Sequence, residues 1–232
     1  MRGAKQIAAN LYQIPAGGAC AFLVVEDRIT VIDAGRRGSG PRILEYLRSL
    51  GRSPEEISYI ISTHYHLDHI GGIAHLQAAS AGRVAVHQSE APFVQGGKPL
   101  PGPFQNPLLA FLMAPFVRLS RPPRFSVDLC LQDGDMFEPL GGMEVVHTPG
   151  HTPGSISLYS SSEGLLIAGD ALEFRRGRLQ LPSRLFTADM AQAKESVRRL
   201  AGLDFEVLCL SHYPPLLKNA SQALRRFSES LN

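Results

Sequence analysis

The chain has 232 residues, 44% of them hydrophobic and 19% charged, with 23 basic against 21 acidic side chains for a net charge of +2. Values this close to globular averages exclude a disordered chain and a strongly basic nucleic-acid binder, so no nucleic-acid partner is expected. A chain of this length buries roughly 70–75% of its unfolded surface and folds without disulfide staples.

Cys20, Cys130 and Cys209 are odd in number, far apart and set among apolar residues. That usage predicts reduced core thiols rather than a disulfide framework, and a cytoplasmic location. The opening "MRGAKQIAANLYQIPAGG" has no apolar core of signal-peptide length. No stretch reaches the roughly 18 uninterrupted apolar residues of a membrane span, so a soluble protein with no membrane partner is expected.

In chain order, "CAFLVVED" and "RITVIDAG" are apolar runs bounded by Gly or charged residues and predict paired strands. "SGPRILEYLRSLG" sets Ile43, Leu44, Leu47 and Leu50 at helical spacing, with Ser39 or Pro41 near its start and Gly51 at its end, and predicts a helix. "EEISYIIS" predicts a strand buried on both faces, "GGIAHLQAAS" a helix and "RVAVH" a further strand. Residues 96–124 break this rhythm, with seven prolines around the apolar "LLAFLMAPFV". This insertion is a helical excursion packed on the body, or a lid, a substrate wall or a dimer face. From about residue 125 the strand pattern returns in "DMFEPLG", "MEVVHT", "SISLYSS" and "GLLIAGD". The helix "TADMAQAKESVRRLAG", the strand "EVLCLSH" and a helix from about Lys218 complete the chain. Two comparable halves without a composition break predict one α/β domain over residues 1–232, with two sheets sharing a core and helices outside.

"STHYHLDHIGG" places His64, His66, Asp68 and His69 at the end of an apolar strand. Burying such groups without compensation costs several kcal/mol each, roughly, and a metal ion is the obvious compensator. On an extended chain His64, His66 and Asp68 face one side, and His69 lies where Gly71 and Gly72 begin a helix. Tyr65 alternates away from that face. Imidazole and carboxylate are good zinc ligands, and a catalytic zinc keeps one position open for water. Three later strand ends carry one strong ligand each before a Gly- or Pro-marked turn: His151 in "HTPGHTPGS", Asp170 in "LLIAGD" and His212 in "EVLCLSH". His75 and His87 read as surface or locally hydrogen-bonded residues.

These seven residues, together with the early "VIDAG", resemble the metallo-β-lactamase superfamily, whose pattern is His-x-His-x-Asp-His followed in order by His, Asp and His. The resemblance covers essentially the whole chain. It implies an αββα four-layer sandwich of two mixed β-sheets flanked by helices, with a dinuclear site at the sheet edges. It implies that His64, His66 and His151 hold one divalent ion, that Asp68, His69 and His212 hold the second, and that Asp170 bridges both. Zinc is the implied metal, with iron and manganese as alternatives. Asp33 matches the family's early aspartate, which orders the ligand loop by hydrogen bonding; a simple turn residue before Gly35 is the alternative. His147, outside the matched ligands, is expected to support the site or the fold rather than to ligate.

The implied reaction is hydrolysis: hydroxide held between two ions attacks the carbonyl of a small-molecule thioester, ester or lactone, and Asp68 orients it and moves its proton. True β-lactamases lack the aspartate matched by Asp170, and the flavo-diiron branch replaces the histidine matched by His66 with glutamate. Acyl-homoserine lactonases place a tyrosine where this chain has Glu173, followed by Phe174. "AGDALEFRRGRLQLPSR" is similar to the glyoxalase II neighbourhood, where Arg175, Arg176, Arg178 and Arg184 would grip an anionic carrier; a solvated basic hairpin is the alternative. Glyoxalase II's long helical C-terminal region is not expected after His212, so the resemblance is not extended to glutathione. Candidate substrate contacts are Glu173, Phe174, Arg175, Arg178 and Tyr213. The competing readings are a mono-iron oxygenase of the persulfide dioxygenase type, a phosphodiesterase and a non-catalytic metal-binding protein. A monomer is expected, or a homodimer joined through the 96–124 insertion.

Overall fold

The computed structural model describes residues 3–231. They divide into two compact units, one made of residues up to Gly102 with Phe111–Leu131, the other of Pro103–Ala110 with residues from Gln132 onward.

The first unit is a seven-stranded mixed sheet in sequential order. β1 (Lys5–Ala8), β2 (Leu11–Pro15), β3 (Cys20–Val25) and β4 (Ile29–Ile32) form an antiparallel meander. β5 (Ile57–Ile61), β6 (Arg83–His87) and β7 (Leu129–Leu131) continue it in parallel. Parallel neighbours need crossover connections. α1 (Gly40–Ser49) supplies the first, α2 (Leu67–Ile70) and α3 (Ile73–Ala79) the second, and α4 (Ala91–Val94) lies in the third with α5 (Pro107–Ser120), whose residues up to Ala110 belong to the second unit. α1 begins with Pro41 in its first turn and ends with Arg48 in its last, both favourable to the helix. Its Ile43, Leu44 and Leu47 join Leu23, Val31, Ile60, Val84 and Leu76 in one core. Burial of each such side chain contributes roughly 1.5–3 kcal/mol.

The second unit is a five-stranded mixed sheet. β8 (Met136–Phe137), β9 (Met143–His147), β10 (Ile156–Ser160) and β11 (Leu165–Ile167) run antiparallel, and β14 (Val207–Cys209) lies parallel to β11. α6 (Met190–Ala201) and α7 (Ala220–Glu229) pack Val197, Leu200 and Leu224 with Val146, Leu166 and Leu208. Asp189 caps α6, its carboxylate accepting from the backbone N–H groups of Ala191 and Gln192 at 2.8 and 3.0 Å. β12 (Glu173–Arg175) and β13 (Arg178–Gln180) form a separate hairpin. Its two turn residues, Arg176 and Gly177, have φ of 53° and 75°, the left-handed pair that a two-residue hairpin requires. The arginine-rich segment is therefore a hairpin, with Arg175, Arg176 and Arg178 exposed.

Two mixed sheets with flanking helices match the expected α/β class. Four details differ from the sequence reading. β1 and β2 lie in a segment in which no strand was foreseen. The strand before the histidines ends at Ile61, and Leu67–Ile70 is one helical turn, so strand parity does not orient Asp68. "DMFEPLG" yields a strand of only two residues, Met136–Phe137. Cys209 is buried and Cys20 half-buried, but Cys130 is exposed, because β7 is the edge strand of its sheet. Among the described residues no helix is long and apolar enough to cross a membrane.

Candidate metal centre

In the first unit the ligand loop leaves β5 and is fastened from below by Asp33. This residue sits at the end of β4 with φ of 57°, a left-handed conformation that costs a non-glycine residue of order 1 kcal/mol and is kept where the surroundings impose it. The Asp33 backbone N–H donates to the Ile61 carbonyl at 2.8 Å, which continues the β4–β5 ladder. Its fully buried carboxylate accepts from the Thr63 backbone N–H at 2.8 Å, the Thr63 hydroxyl at 2.8 Å and His69 Nδ1 at 2.7 Å.

Those bonds fix tautomers. A hydroxyl has one proton, and Thr63 gives its proton to Asp33, so toward His64 Nδ1, at 3.1 Å, it acts as acceptor. His64 therefore carries its proton on Nδ1 and presents the Nε2 lone pair. His69, donating from Nδ1 to Asp33, does the same. The carboxylate–histidine arrangement is the one that orients and strengthens imidazole ligands of a metal. The rings of His64 and His69 lie 4.0 Å apart between centroids, and those of His64 and His66 lie 4.7 Å apart. Ligand atoms of His64 and His66, of His64 and His69, and of Asp68 and His69 fall within 4.8 Å of each other. His64, His66 and His69 are buried, whereas Asp68, in the single turn of α2, is half-buried.

Gly71 closes this loop against the chain after β4, its N–H donating to the Gly35 carbonyl at 2.7 Å. A Cβ at Gly71 would sit 2.2 Å from the Arg37 nitrogen and 2.3 Å from the Arg36 carbonyl carbon. Gly71→Ala is accordingly expected to destabilise the protein by roughly 2–3 kcal/mol in urea unfolding, whereas Gly102→Ala changes stability by less than about 0.5 kcal/mol. A Cβ at Gly102 meets nothing within 4 Å.

One residue that no local pattern marked is Glu90, which is buried and accepts the Tyr65 backbone N–H at 2.6 Å. The Tyr65 ring meets both Phe93 of α4 and the ring of His66, each at 5.5 Å between centroids. Burial, and secondarily the nearby Glu90, push the Tyr65 phenol well above its ordinary pKa, so it stays neutral. His87 is buried with Nδ1 accepting from the Ser89 N–H at 3.3 Å, and His75 is exposed.

The second unit gathers His151, Asp170 and His212. Asp170 Oδ2 lies 3.4 Å from His151 Nε2 and 3.1 Å from His212 Nε2. His151 repeats the relay seen at His64. The Thr187 hydroxyl donates to the Ser183 carbonyl at 2.8 Å, so it accepts from His151 Nδ1 at 3.3 Å, and the His151 lone pair is on Nε2, facing a carboxylate oxygen. A lone pair aimed at a carboxylate is repulsive until a cation stands between them. The donor set thus fits a divalent metal. Nothing in the residues around Thr187 points to this role, since it lies 36 positions from His151.

The His151 loop docks on the start of α6, where the Asp189 N–H donates to the Gly150 carbonyl at 2.9 Å. Gly150 has φ of 130°, and a Cβ there would lie 2.2 Å from the Ala193 nitrogen, so only glycine fits. His147 spans the same loop, donating from Nε2 to the Pro153 carbonyl at 3.0 Å. Tyr213, following His212, is joined to the β12–β13 hairpin: Arg175 Nε donates to its hydroxyl at 2.7 Å and forms an ion pair with Glu173 Oε2 at 2.8 Å. Glu173 Oε1 also accepts the Ser183 N–H at 3.1 Å. Phe174 packs against the core of the second unit, and Arg178 is exposed.

A family profile described as the metallo-beta-lactamase superfamily matches residues 14–212, a span that holds all seven ligand candidates. The chain belongs to the metallo-beta-lactamase superfamily. Among superfamily relatives, a probable metallo-hydrolase, YflN of Bacillus subtilis (strain 168), is 31% identical over 219 residues, covering 87% of this chain and 82% of that one. A hydroxyacylglutathione hydrolase of Ectopseudomonas mendocina (strain ymp) is 30% identical over 192 residues, covering 82% of this chain but only 58% of that one. The crystal structure of a metallo-beta-lactamase family protein from Thermus thermophilus superposes with a TM-score of 0.73 at 23% identity, over 97% of this chain and 80% of that one. This likeness establishes the metallo-beta-lactamase fold. Superfamily membership and the hydrolase-named relatives support a metal-dependent hydrolase.

The relay through Asp33 carries its own prediction. Asp33→Asn is expected to weaken metal binding about 10–100-fold in competition with a chromophoric chelator, because an amide cannot accept from Thr63 and His69 as a carboxylate does.

Proposed function

We propose that the protein is a dinuclear hydrolase of a small acyl compound, a thioester, ester or lactone. His64, His66 and His151 are assigned to one ion, Asp68, His69 and His212 to the other, and Asp170 to both. The observation that carries this reading is the common tautomer of His64, His69 and His151, whose Nδ1 protons are each consumed by a built-in acceptor so that Nε2 is the ligand atom. Zinc is the metal proposed, since imidazole and carboxylate donors suit it.

Held by these residues, two divalent ions would supply hydroxide at neutral pH and polarise a carbonyl. The chain's residues do the rest. Asp68, half-buried on a single helical turn, would take up the proton of the attacking water and pass it to the leaving thiolate or alkoxide. Asp33 and Thr63 keep His64 and His69 from turning. The cluster of Glu173, Arg175 and Tyr213, with Phe174, makes a fixed wall beside His212, whose ring lies 6.5 Å from that of Tyr213. Arg178 is the cation available to an anionic substrate group.

A panel of acyl thioesters, lactones and phosphodiesters tests the assignment. Turnover of a thioester or lactone, abolished by chelation, is expected. Consumption of oxygen with glutathione persulfide and no hydrolysis would replace this reading with the mono-iron oxygenase.

A further inference from the structure

α5 is turned the wrong way for a soluble surface helix. Leu109, Met113 and Val117 share one side of the helix and are half-buried. Leu108, Phe111, Leu112, Phe116 and Leu119 face outward and are 58–78% exposed. At 100° per residue these five occupy an arc of roughly 140°, where a surface helix normally carries charge. Arg118 borders the arc on one side, and Leu109 and then Ser120 on the other.

The charge around this face is as uneven as its polarity. Residues 91–127 contain Lys98, Arg118, Arg121 and Arg124 and not one acidic residue. The net +2 of the chain is thus a segment of +4 and a remainder of −2. Arg121 donates to the Leu100 carbonyl at 3.2 Å, and Lys98 Nζ lies 5.7 Å above the Phe93 ring, so the cations are held near one end of α5. Lys98, Arg118, Arg121 and Arg124 are all exposed.

We propose that the outward face of α5 docks on an anionic lipid surface. Its 14 residues make about 21 Å of helix, too short to span a bilayer but suited to lie in the headgroup boundary with apolar side chains down and arginines at the phosphates. A second copy of the chain is the poorer occupant, because a two-fold contact would bring two segments of +4 together. A single acyl ligand is poorer still, because the outward side of a helix offers no enclosure.

Flotation of the full metal-loaded chain with vesicles tests this, using phosphatidylcholine alone against a two-to-one mixture of phosphatidylcholine and phosphatidylglycerol. Binding to the anionic vesicles, weakened by salt and by phosphatidylcholine alone, is expected. Replacing Phe111 and Phe116 together by Ser is expected to lower it about tenfold or more. Replacing Lys98 and Arg118 together by Gln is expected to lower it at least about fivefold. All four side chains are exposed, so unchanged melting temperature and metal content confirm that each variant is folded. Absence of vesicle binding, or binding indifferent to both pairs of substitutions, overturns the proposal. So does a dimer in sedimentation that the Phe pair dissociates, which would assign the face to a second copy.

Discussion

Asp68→Ala is expected to lower kcat on the best acyl substrate by roughly 10²–10⁴-fold while leaving the melting temperature nearly unchanged. Asp68 sits half-buried in a one-turn helix, and the fold does not rest on it: the buried anchors of that loop are Asp33, Thr63 and His69. The loss is therefore one of chemistry. Because Asp68 is also assigned to the second ion, the assay is run with zinc well above the concentration that saturates the variant, which separates weakened binding from a missing proton carrier. Activity near that of the wild type under those conditions would refute the role given to Asp68.

Asp170→Asn is expected to produce the second large effect, with opposite signs in the presence and absence of metal. Asp170 Oδ2 faces the Nε2 lone pair of His151 at 3.4 Å and is hydrogen-bonded to His212 Nε2 at 3.1 Å; without metal, a neutral amide relieves the first contact and keeps a partner for the second. The metal-free variant should then melt no lower than the metal-free wild type. With metal, the wild type gains stability as the logarithm of metal concentration over Kd, and the variant loses most of that gain because its affinity falls by more than about 100-fold. Calorimetry with and without zinc reads both signs. A variant that melts lower in both states would show that Asp170 is a structural carboxylate.

The proposed ligating positions stand out in the sequence because His64, His151, Asp170 and His212 each come shortly after an apolar strand and at a turn. The supports of those ligands are much less legible. Asp33 is recognisable only by its place in "VIDAG", since its left-handed backbone and its three hydrogen bonds are properties of the folded loop. Thr187 has no local signal at all, because its one proton matters only once Ser183 and His151 have been brought to it. Glu90 likewise carries no local signal, since its role depends on the Tyr65 N–H that the fold brings to it. Period-two reasoning failed at Asp68 because the chain turns helical at Leu67, and Cys130, set among Leu129 and Leu131, reads as core although it lies on an edge strand. The apolar run in α5 was equally visible, but composition cannot tell a helix that buries its apolar side from one that shows it.

The central claim is a two-ion hydrolytic centre. Its most direct test is the stoichiometric titration of chelator-stripped protein with zinc, following hydrolysis of the best thioester or lactone at protein concentrations far above Kd. The predicted result is activity that completes its rise at two equivalents per chain. Activity complete at one equivalent, or hydrolysis undiminished in the stripped protein, would contradict it.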